Sequence, residues 1–360
     1  MKPKKSEKIC IAMSGGVDSS AAAALLVKQG YNCIGIFMKL WSEPNSSACQ
    51  ENKCCSADAF ADARKVAHQL GFPIYTLNLS HEFKKIIVDD FLKQYQNGKT
   101  PNPCIRCNKF IKFDLLLKKA KGLGCNYLAT GHYAKITNNK NHKLELQLPK
   151  DKHKDQTYFL YNLNQRNLKH LIFPLSNLEK TQTRRIAQDQ GLAVYQKPES
   201  QEICFVPEKS HYSFLKKYLK LTPGKIVDEK GKVLGQHEGL ALYTLGQRKG
   251  IKVGGIGPYY VIRLDRKRNN LVVSNQKNSQ EIKTKIFKLA NTNWISSQAP
   301  LANQKIKVKI RYQAAPVSAK IKNNLVTLAK AQRAVMPGQS AVFYQGQRVL
   351  GGGIINKIIK

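Results

Sequence analysis

The 360-residue sequence is short of acidic side chains: 23 Asp and Glu stand against 60 Lys and Arg, which gives a net charge of +37. The shortage deepens along the chain, from 17 acidic against 31 basic residues in 1–204 to 6 against 29 in 205–360. Such an excess favours a polyanionic partner, with the larger footprint in the later half. A genome rich in AT, which inflates Lys, or charge kept for solubility is the plainer explanation.

Long apolar runs are also missing. No stretch approaches the roughly 18 apolar residues of a membrane span, and the start, Met-Lys-Pro-Lys-Lys-Ser-Glu-Lys, lacks the apolar centre of a secretory signal. We therefore expect no membrane partner and a cytoplasmic location. Cysteine is absent after Cys204, and all nine thiols lie between Cys10 and Cys204. An odd number of thiols in such a chain argues for reactive cysteines rather than a disulfide framework.

One loop stands out, Ser14-Gly-Gly-Val-Asp-Ser-Ser20. It follows the apolar run Ile9–Met13, which fits one buried strand, and precedes the helix-forming run Ala21–Val27. A strand, a Gly-Gly turn and a helix N-terminus direct several backbone N–H groups at one point, and this arrangement binds a phosphate-sized anion. Because Asp18 would repel phosphates, we expect it either to hold Mg²⁺ or to fix the loop through hydrogen bonds. A turn that serves packing alone is the plainer alternative.

The seven-residue string resembles the signature of PP-loop ATP pyrophosphatases, which split ATP between the α- and β-phosphates and transfer AMP to a carbonyl oxygen. The Gly-Lys-Ser/Thr of a Walker A loop does not follow it, and the dinucleotide fingerprint is absent. Residues 8–132 alternate between strand and helix patterns, which predicts a parallel sheet covered on both faces, with its site at the carboxyl ends of the strands. Ser14–Ser20, Met38 and Thr130-Gly131-His132 then share one rim.

Other segments are predicted from their patterns. Strands are expected at Asn32–Leu40, Ile74–Leu79 and Tyr127–Thr130, and the polar stretch 138–155 reads as a hairpin or a flexible insertion. After about residue 212, Gly and Pro punctuate short β-rich runs. Strict alternation in Lys305–Tyr312 places four cations on one face of a strand, where phosphates would explain them better than solvent does. These four are Lys305, Lys307, Lys309 and Arg311.

Two thiols, Cys104 and Cys107, stand three residues apart in a Pro-braced loop ahead of a helix predicted over Asn108–Lys121. A thiol at a helix N-terminus with Arg106 and Lys109 nearby should ionise easily, and the thiolate is the reactive form. The spacing alone suits zinc, a redox pair or an iron–sulfur cluster, although no second pair of zinc ligands matches it.

Cys204, in Glu199-Ser-Gln-Glu-Ile-Cys-Phe205, is the remaining candidate partner for these two thiols. Cys10 and Cys33 lie in apolar strands and are expected in the core, as unpaired cysteines usually are. No role is assigned to the others, which are Cys49, Cys54, Cys55 and Cys125.

Five motifs in this order resemble the bacterial tRNA-specific 2-thiouridylases (the MnmA family) over nearly the whole chain. They are Ser14–Ser20, Thr130–Tyr133, Lys154–Phe159, the two Cys-bearing segments and Thr244–Gly250. The resemblance implies ATP-dependent 2-thiolation of the wobble uridine of tRNA, with release of AMP and pyrophosphate. It implies ATP with Mg²⁺, and as partners a tRNA and a persulfide donor, either a cysteine desulfurase or a sulfur-relay protein.

The implied fold class is α/β. A parallel-sheet PP-loop domain (adenine nucleotide alpha hydrolase-like) is expected at 1–211, a small β-rich central domain at 212–280 and a C-terminal, tRNA-contacting β-barrel at 281–360.

The resemblance also assigns roles. Cys204 carries the persulfide, Cys107 is the thiol that attacks it or closes a disulfide with it, and Asp18 is catalytic. The ATP-binding positions are Ala12, Met13, Ser14, Gly15, Gly16, Val17, Asp18, Ser19, Met38 and Gly131. The target base is contacted by Asn102, Pro103 and Cys104. The tRNA contacts are His132, Lys154, Asp155, Gln156, Arg311, Tyr312 and Gln339. From the residues alone, His132 reads as a hydrogen-bonded rim histidine and Tyr312 as a core aromatic.

The chain departs from the family at Cys104, where some members have an Asp with an assigned acid/base role at the base being modified. Either Cys104 is a surrogate acid/base or a spare thiol beside an unchanged persulfide route, or Cys104, Cys107 and Cys204 hold a 4Fe–4S cluster whose fourth iron binds sulfide. Outside the family, one alternative is another PP-loop ligase or amidotransferase, which needs no paired thiols. Another is a basic RNA-binding protein with a decayed nucleotide site, against which the intact loop argues.

Overall fold

The computed structural model describes residues 3–43, 56–199, 203–206, 211–251, 253–254, 258–276 and 279–359. Its strands are β1 Lys8–Met13, β2 Asn32–Lys39, β3 Ile74–Asn78, β4 Tyr127–Ala129, β5 Lys135–Asn138, β6 Leu144–Gln147, β7 Leu171–Ile172, β8 Gly224–Val227, β9 Val233–His237, β10 Tyr260–Asp265, β11 Asn270–Ser274, β12 Lys283–Trp294, β13 Ile306–Lys309, β14 Val317–Lys322, β15 Leu325–Arg333, β16 Ser340–Gln345 and β17 Arg348–Ile359. Its helices are α1 Val17–Lys28, α2 Ala57–Gln69, α3 80–96, α4 103–122, α5 Gln165–Leu168, α6 Lys180–Asp189 and α7 His211–Tyr218. Two stretches are π-helical, Lys84–Val88 within α3 and Cys107–Leu116 within α4.

The first sheet is parallel, with the strand order β3-β2-β1-β4-β7. Strand β1 is central, and the chain leaves it to β2 on one side and later to β4 on the other. Ligands bind in α/β sheets at such a switch point, outside the carboxyl ends of the strands. The predicted strands and the parallel sheet are thus confirmed. Ala21, Ala22 and Ala23 of α1 are fully buried, because side chains this small let the helix lie close to its neighbours.

Helix α4 begins at Pro103, five residues before the predicted start. The Asn102 side chain accepts a hydrogen bond from the Ile105 N–H at 3.3 Å, and Pro103 occupies the first helical position, where its missing N–H costs nothing. Cys104 and Cys107 therefore lie in the first turns of a helix and not in a loop. Ser56 caps α2, since its Oγ accepts from the Ala59 N–H at 3.2 Å.

The second sheet has the order β10-β11-β8-β9, with one parallel pair, β11 with β8. It is preceded by α7, whose Phe214 and Leu215 are buried. The region predicted to be β-rich after residue 212 therefore begins with a helix. Trp41, Phe91 and Phe205 of the first region share one apolar cluster with Phe214 and with residues of this second sheet.

The third sheet closes into a barrel of six strands in the order β12-β15-β14-β13-β16-β17, because β17 also pairs with β12. The barrel core is apolar and includes Phe287, Val308, Val326 and Phe343, all fully buried. The polar stretch predicted as a hairpin or flexible insertion is a hairpin, β5 and β6. Strand β6 pairs with β17 and so extends the barrel sheet from the N-terminal region. The PP-loop, small β-rich and barrel architecture is as expected.

Candidate active site

The loop between β1 and α1 is held by two close backbone approaches. Gly15 has φ +67°, and a Cβ there would lie 2.1 Å from the carbonyl oxygen of Ala59 in α2. A Cβ on Gly131, just after β4, would lie 2.7 Å from the carbonyl carbon of Asp18. Both positions therefore require glycine, and together they bring the ends of β1 and β4 and the start of α2 to one point. This is the predicted rim.

Within the loop, hydroxyl groups fix the backbone. Ser19 Oγ and Ser20 Oγ both donate to the Gly16 carbonyl, at 3.0 and 2.9 Å, and Ser19 Oγ also lies 3.2 Å from Ser14 Oγ. Gly16 is the N-cap of α1 and has no side chain to accept from the first N–H groups of the helix. Those groups remain available to an anion at the positive end of the helix dipole. The loop therefore fits the phosphates of a nucleotide.

Asp18 is held by two donors. Tyr133 Oη donates to Asp18 Oδ1 at 3.0 Å, and Lys180 Nζ donates to the same oxygen at 2.7 Å. Burial, and then the charge of Asp18, raise the pKa of Tyr133 well above its usual value, so the phenol stays protonated and remains a donor. The hydrogen-bonding role expected for Asp18 is therefore present in the structure, while the Mg²⁺ role stays a prediction.

Lys180 links Asp18 to the segment that leads to Cys204. Its Nζ also lies 2.8 Å from Glu199 Oε1, and the other oxygen of Glu199 accepts from Lys154 Nζ at 2.7 Å. The Lys180 side chain is only 11% exposed. Burial raises the pKa of Glu199, but the hydrogen bonds from Lys154 and Lys180 outweigh it and lower the pKa overall. Glu199 is therefore a carboxylate shared by two ammonium groups.

A second lysine ties the same segment to the loop. Lys197 Nζ donates to the Gly15 carbonyl at 3.2 Å and to Asp62 Oδ2 of α2 at 2.7 Å. Neither Lys180 nor Lys197 was predicted from the sequence to have a role. For Lys180 a signal existed: it is the first residue of α6, where the helix dipole disfavours a cation. Lys197 carried no comparable signal.

Cys107 and Cys204 lie against one apolar cluster. Cys107 is a buried member of it and Cys204 packs onto it from a tight turn, in which the Val206 N–H donates to the Ile203 carbonyl at 3.1 Å. Phe205 anchors that turn through ring contacts to Phe83, Phe91 and Phe214. Cys104 is exposed. Across the described part of the chain, no group of three or more His, Cys, Asp or Glu side chains is placed to hold a metal ion.

The cations expected to assist the thiols have other partners. Arg106 Nε lies 3.1 Å from Asp90 Oδ2 and donates to the Ile86 carbonyl, so part of its charge is taken by α3. Lys109 lies over the ring of Phe110.

Cys10, Cys33 and Cys125 are buried. A hydrogen bond with Cys125, and then burial, raise the pKa of Cys10 far above its usual value, which keeps that thiol protonated. Cys49, Cys54 and Cys55 lie outside the described residues.

Connecting segments from the three regions of the fold meet at Thr100, just before the predicted base-contacting residues. The Thr100 N–H donates to the Pro337 carbonyl at 2.9 Å, and Gln339 Nε2 donates to the Thr100 carbonyl at 2.9 Å. Thr100 Oγ1 lies 3.4 Å from Thr244 Oγ1, at the start of the motif Thr244–Gly250. The chain that enters α4 is therefore clamped by the barrel region and by the loop between β9 and β10. Gln339 contributes to this clamp.

The remaining predicted tRNA contacts divide by exposure. Asp155 is buried: it accepts from Thr157 and from Lys309 Nζ of the barrel at 3.2 Å. Gln156 accepts from the Tyr133 N–H at 2.9 Å. Tyr312 is partly buried at the edge of an apolar cluster and packs on Phe159, with ring centroids 4.4 Å apart. Arg311 is exposed.

His132 is partly buried, and its Nδ1 lies 2.7 Å from Thr130 Oγ1. Burial, and then the charge of Lys112, hold its pKa well below 6.5. Its ring packs between Phe113 and Phe173, which matches the hydrogen-bonded rim histidine.

Three consecutive parts of the chain match known families. Residues 7–208 match the tRNA methyl transferase HUP domain, 212–275 the tRNA methyl transferase PRC-barrel domain and 284–355 the aminomethyltransferase beta-barrel domain. The tRNA-specific 2-thiouridylase MnmA of Magnetococcus marinus is 44% identical over 97% of this chain and 99% of its own length. That of Halothermothrix orenii is 44% identical over 98% and 99%.

The chain belongs to the tRNA-specific 2-thiouridylase family. Among solved structures, a 4-thiouridine synthetase–RNA complex with bound ATP is similar at 20% identity, over 59% of this chain and 49% of that one, with a TM-score of 0.35. That likeness is weak, and the family assignment does not depend on it. In the described residues no helix is both long and apolar enough to cross a membrane.

Proposed function

We propose that this chain is the ATP-dependent enzyme that replaces the C2 oxygen of the wobble uridine of tRNA by sulfur. The single observation that carries the proposal is 44% identity to 2-thiouridylases over 97% of the chain. The PP loop, with Gly15 and Gly131 at its close contacts, and the approach of Cys107 and Cys204 to one cluster support it. The division into 1–211, 212–280 and 281–360 is part of the proposal.

The first half-reaction activates the base. A uridine C2 carbonyl is a poor electrophile because its oxygen is a poor leaving group. Attack of that oxygen on the α-phosphorus of ATP releases pyrophosphate and converts the oxygen into part of an AMP leaving group. We assign ATP binding to 12–19, Met38 and Gly131. Mg²⁺ would be held at Asp18 and would offset the phosphate charge.

The second half-reaction delivers sulfur. A persulfide on Cys204 keeps the sulfur from being lost to water. In one route its terminal sulfur attacks C2 and AMP leaves; the Cys107 thiolate then attacks the Cys204 sulfur, which releases thiouridine and leaves a disulfide for a thiol reductant to reopen. In the other route Cys107 first attacks the persulfide and frees hydrosulfide, which attacks C2. The persulfide donor would be a desulfurase or a sulfur-relay protein.

The predicted tRNA contacts differ in exposure and in the partners that they already have. Asn102 caps α4 beside the Thr100 clamp, and Pro103 and Cys104 are the first two residues of the helix. Cys104 is exposed and Pro103 is buried, and we assign all three to the target base. Among the other predicted contacts, the exposed Arg311 offers charge to phosphates and His132 offers a rim surface. Lys154 is paired with Glu199 and would offer its charge only when that pair opens. Asp155, Gln156, Tyr312 and Gln339 already have partners within the chain. These four would shape the surface that the RNA meets.

A 4Fe–4S cluster on Cys104, Cys107 and Cys204 is the rival route. Among the described residues, which include these three thiols, no group of three or more His, Cys, Asp or Glu side chains is placed to hold a metal ion, and this favours the persulfide route. Iron and acid-labile sulfide on protein purified without oxygen decide between them. About four irons per chain, lost on Cys104→Ala, would establish the cluster. Thiolation by iron-free protein would establish the persulfide route.

The test of function is nucleoside mass spectrometry of tRNA incubated with the enzyme, ATP and a sulfide source. We expect a gain of sulfur for oxygen in the wobble uridine, lost in Cys107→Ser and Cys204→Ser with a persulfide donor. Cys33→Ala, at a buried thiol of β2, is the control and retains activity. Full activity of both Ser variants would favour a PP-loop ligase without thiol chemistry. Tight tRNA binding without any mass gain would leave an RNA-binding protein.

A further inference from the structure

Four side chains form one continuous chain of ion pairs through the site: Asp18, Lys180, Glu199 and Lys154. The three N–O distances are 2.7, 2.8 and 2.7 Å in that order. The two inner members are the more shielded, with Lys180 11% and Glu199 26% exposed. Partial burial makes each pair stronger than a surface salt bridge, because water screens it less.

The two ends of this chain belong to different substrates. Asp18 lies in the loop assigned to ATP, and Lys154 in the segment assigned to tRNA. Each inner residue is divided between two partners: Lys180 between two carboxylates, and Glu199 between two ammonium groups. If one partner is withdrawn, the inner residue turns its full charge to the other.

We propose that Lys180 and Glu199 are positioning residues that make nucleotide binding and RNA binding mutually favourable. This rests on the proposed function, since it takes Asp18 and Lys154 as the ATP and tRNA ends. When a nucleotide engages the loop and Asp18, Lys180 turns to Glu199 and Glu199 releases Lys154 to an RNA phosphate. When RNA takes Lys154 first, Glu199 holds Lys180 and Asp18 is released. Linkage requires the two effects to be equal.

The test measures the Kd of a tRNA with and without Mg²⁺ and a non-hydrolysable α,β-methylene ATP analogue. In the wild-type chain the analogue tightens tRNA binding at least about 5-fold, the lower end of typical couplings between sites. In Glu199→Gln and in Lys180→Met the ratio of the two Kd values falls to about 1, because the chain of ion pairs is cut.

Without nucleotide the two variants should bind tRNA with different affinities. This difference distinguishes a loss of coupling from a general disruption of the fold. Glu199→Gln frees Lys154, so tRNA binds as tightly as in the wild type or more tightly. Lys180→Met leaves Glu199 to Lys154 alone, so tRNA binds more weakly. Glu145→Gln, which breaks a partly buried pair with Arg348 on the β5–β6 hairpin, is the control and keeps the wild-type ratio.

A wild-type ratio near 1, variants that keep the wild-type ratio, or two variants that weaken tRNA binding equally would overturn the proposal. Thiolation by the wild-type chain is measured on the same preparation. Without thiolation the proposed function fails, whatever the ratio. With thiolation and unchanged ratios, only the coupling fails.

Discussion

Lysines serve differently in the parallel-sheet region and in the barrel. Around the PP loop, Lys154, Lys180 and Lys197 each lie 2.7 Å from a carboxylate oxygen. Strand β13 covers only Ile306–Lys309, so of the four cations predicted on one strand face only Lys307 and Lys309 lie in it. Lys307 and Lys305, just before the strand, are exposed, and they line a groove of about 750 Å³ together with Lys285 and Lys320. Lysines that are paired with carboxylates fix the positions of neighbouring side chains, whereas exposed lysines attract phosphates. The net charge therefore overstates how much of the basic surface can meet RNA.

Asp18→Ala, which removes the carboxylate paired with Lys180, has the largest expected effect. We expect AMP release to fall by at least about 100-fold, as on removal of a key electrostatic group in an active site. Binding of tRNA is not weakened, because the contacts of the basic surface remain. Loss of Asp18 also leaves Lys180 to Glu199 and so releases Lys154. AMP release is followed with radiolabelled ATP, and tRNA binding by fluorescence anisotropy. Loss of tRNA affinity equal to the loss of turnover would contradict the expectation.

Gly15→Ala tests whether the loop is fixed by its backbone as well as by its charges. The new Cβ would overlap the Ala59 carbonyl at a left-handed φ, so we expect destabilisation of at least about 3 kcal/mol. Gly71→Ala is the matched control. Its φ is +74° but nothing lies within 4 Å of the new Cβ, so only about 1 kcal/mol is lost. Thermal unfolding compares the two, and equal shifts would show that the contact with Ala59 is unimportant.

The double variant Lys305→Gln and Lys307→Gln tests whether the exposed lysines of the barrel region contact tRNA. Each phosphate contact removed lowers the slope of log K against log salt by about 0.7 to 0.9, so the double variant loses about 1.5 if both lysines meet tRNA. Turnover at saturating tRNA is unchanged. Lys84→Gln, which removes an exposed lysine paired with Asp89, is the control and leaves the slope as it is. An unchanged slope in the double variant would place the RNA elsewhere.

His132 gives the smallest effect, on stability against pH. Its folded-state pKa lies well below 6.5, so below pH 6.5 the unfolded chain takes up a proton that the folded chain does not. Stability is therefore lost as pH falls, by at most about 1.4 kcal/mol per pH unit for this residue. His132→Asn should unfold with a shallower dependence between pH 7.5 and 5.5. Parallel curves would show that His132 does not contribute.

The sequence predicted what local patterns encode. The strands of the parallel sheet and the Gly-rich turn follow from apolar periodicity and turn chemistry, which act over a few residues. Asn102 as an N-cap and Pro103 at the first helical position indicate that α4 starts at Pro103. This stretch was predicted to be a loop because it is rich in Pro. A helix at the start of the second region, α7, was missed because its apolar run is short.

Contacts between distant segments were not predictable in this way. Lys180 meets Asp18 across 162 residues and Gln339 meets Thr100 across 239, and a single sequence holds no local trace of either pair. Strict alternation placed Lys309 correctly on the polar face of β13. It could not show that Asp155 would lie 3.2 Å from its ammonium group. Long-range pairing therefore decides which charged side chains remain for RNA.

The β5–β6 hairpin has a consequence for synthesis of the chain. Val349 of β17 pairs with Leu146 of β6, so some 200 residues must be made after the hairpin before its partner exists. Until then the outer edge of β6 exposes unpaired backbone groups, which are a template for association with other chains. A ribosome stalled before residue 337 would leave this edge without β17 and Thr100 without Pro337 and Gln339. Completion of the barrel is therefore the step that covers this edge of the N-terminal region.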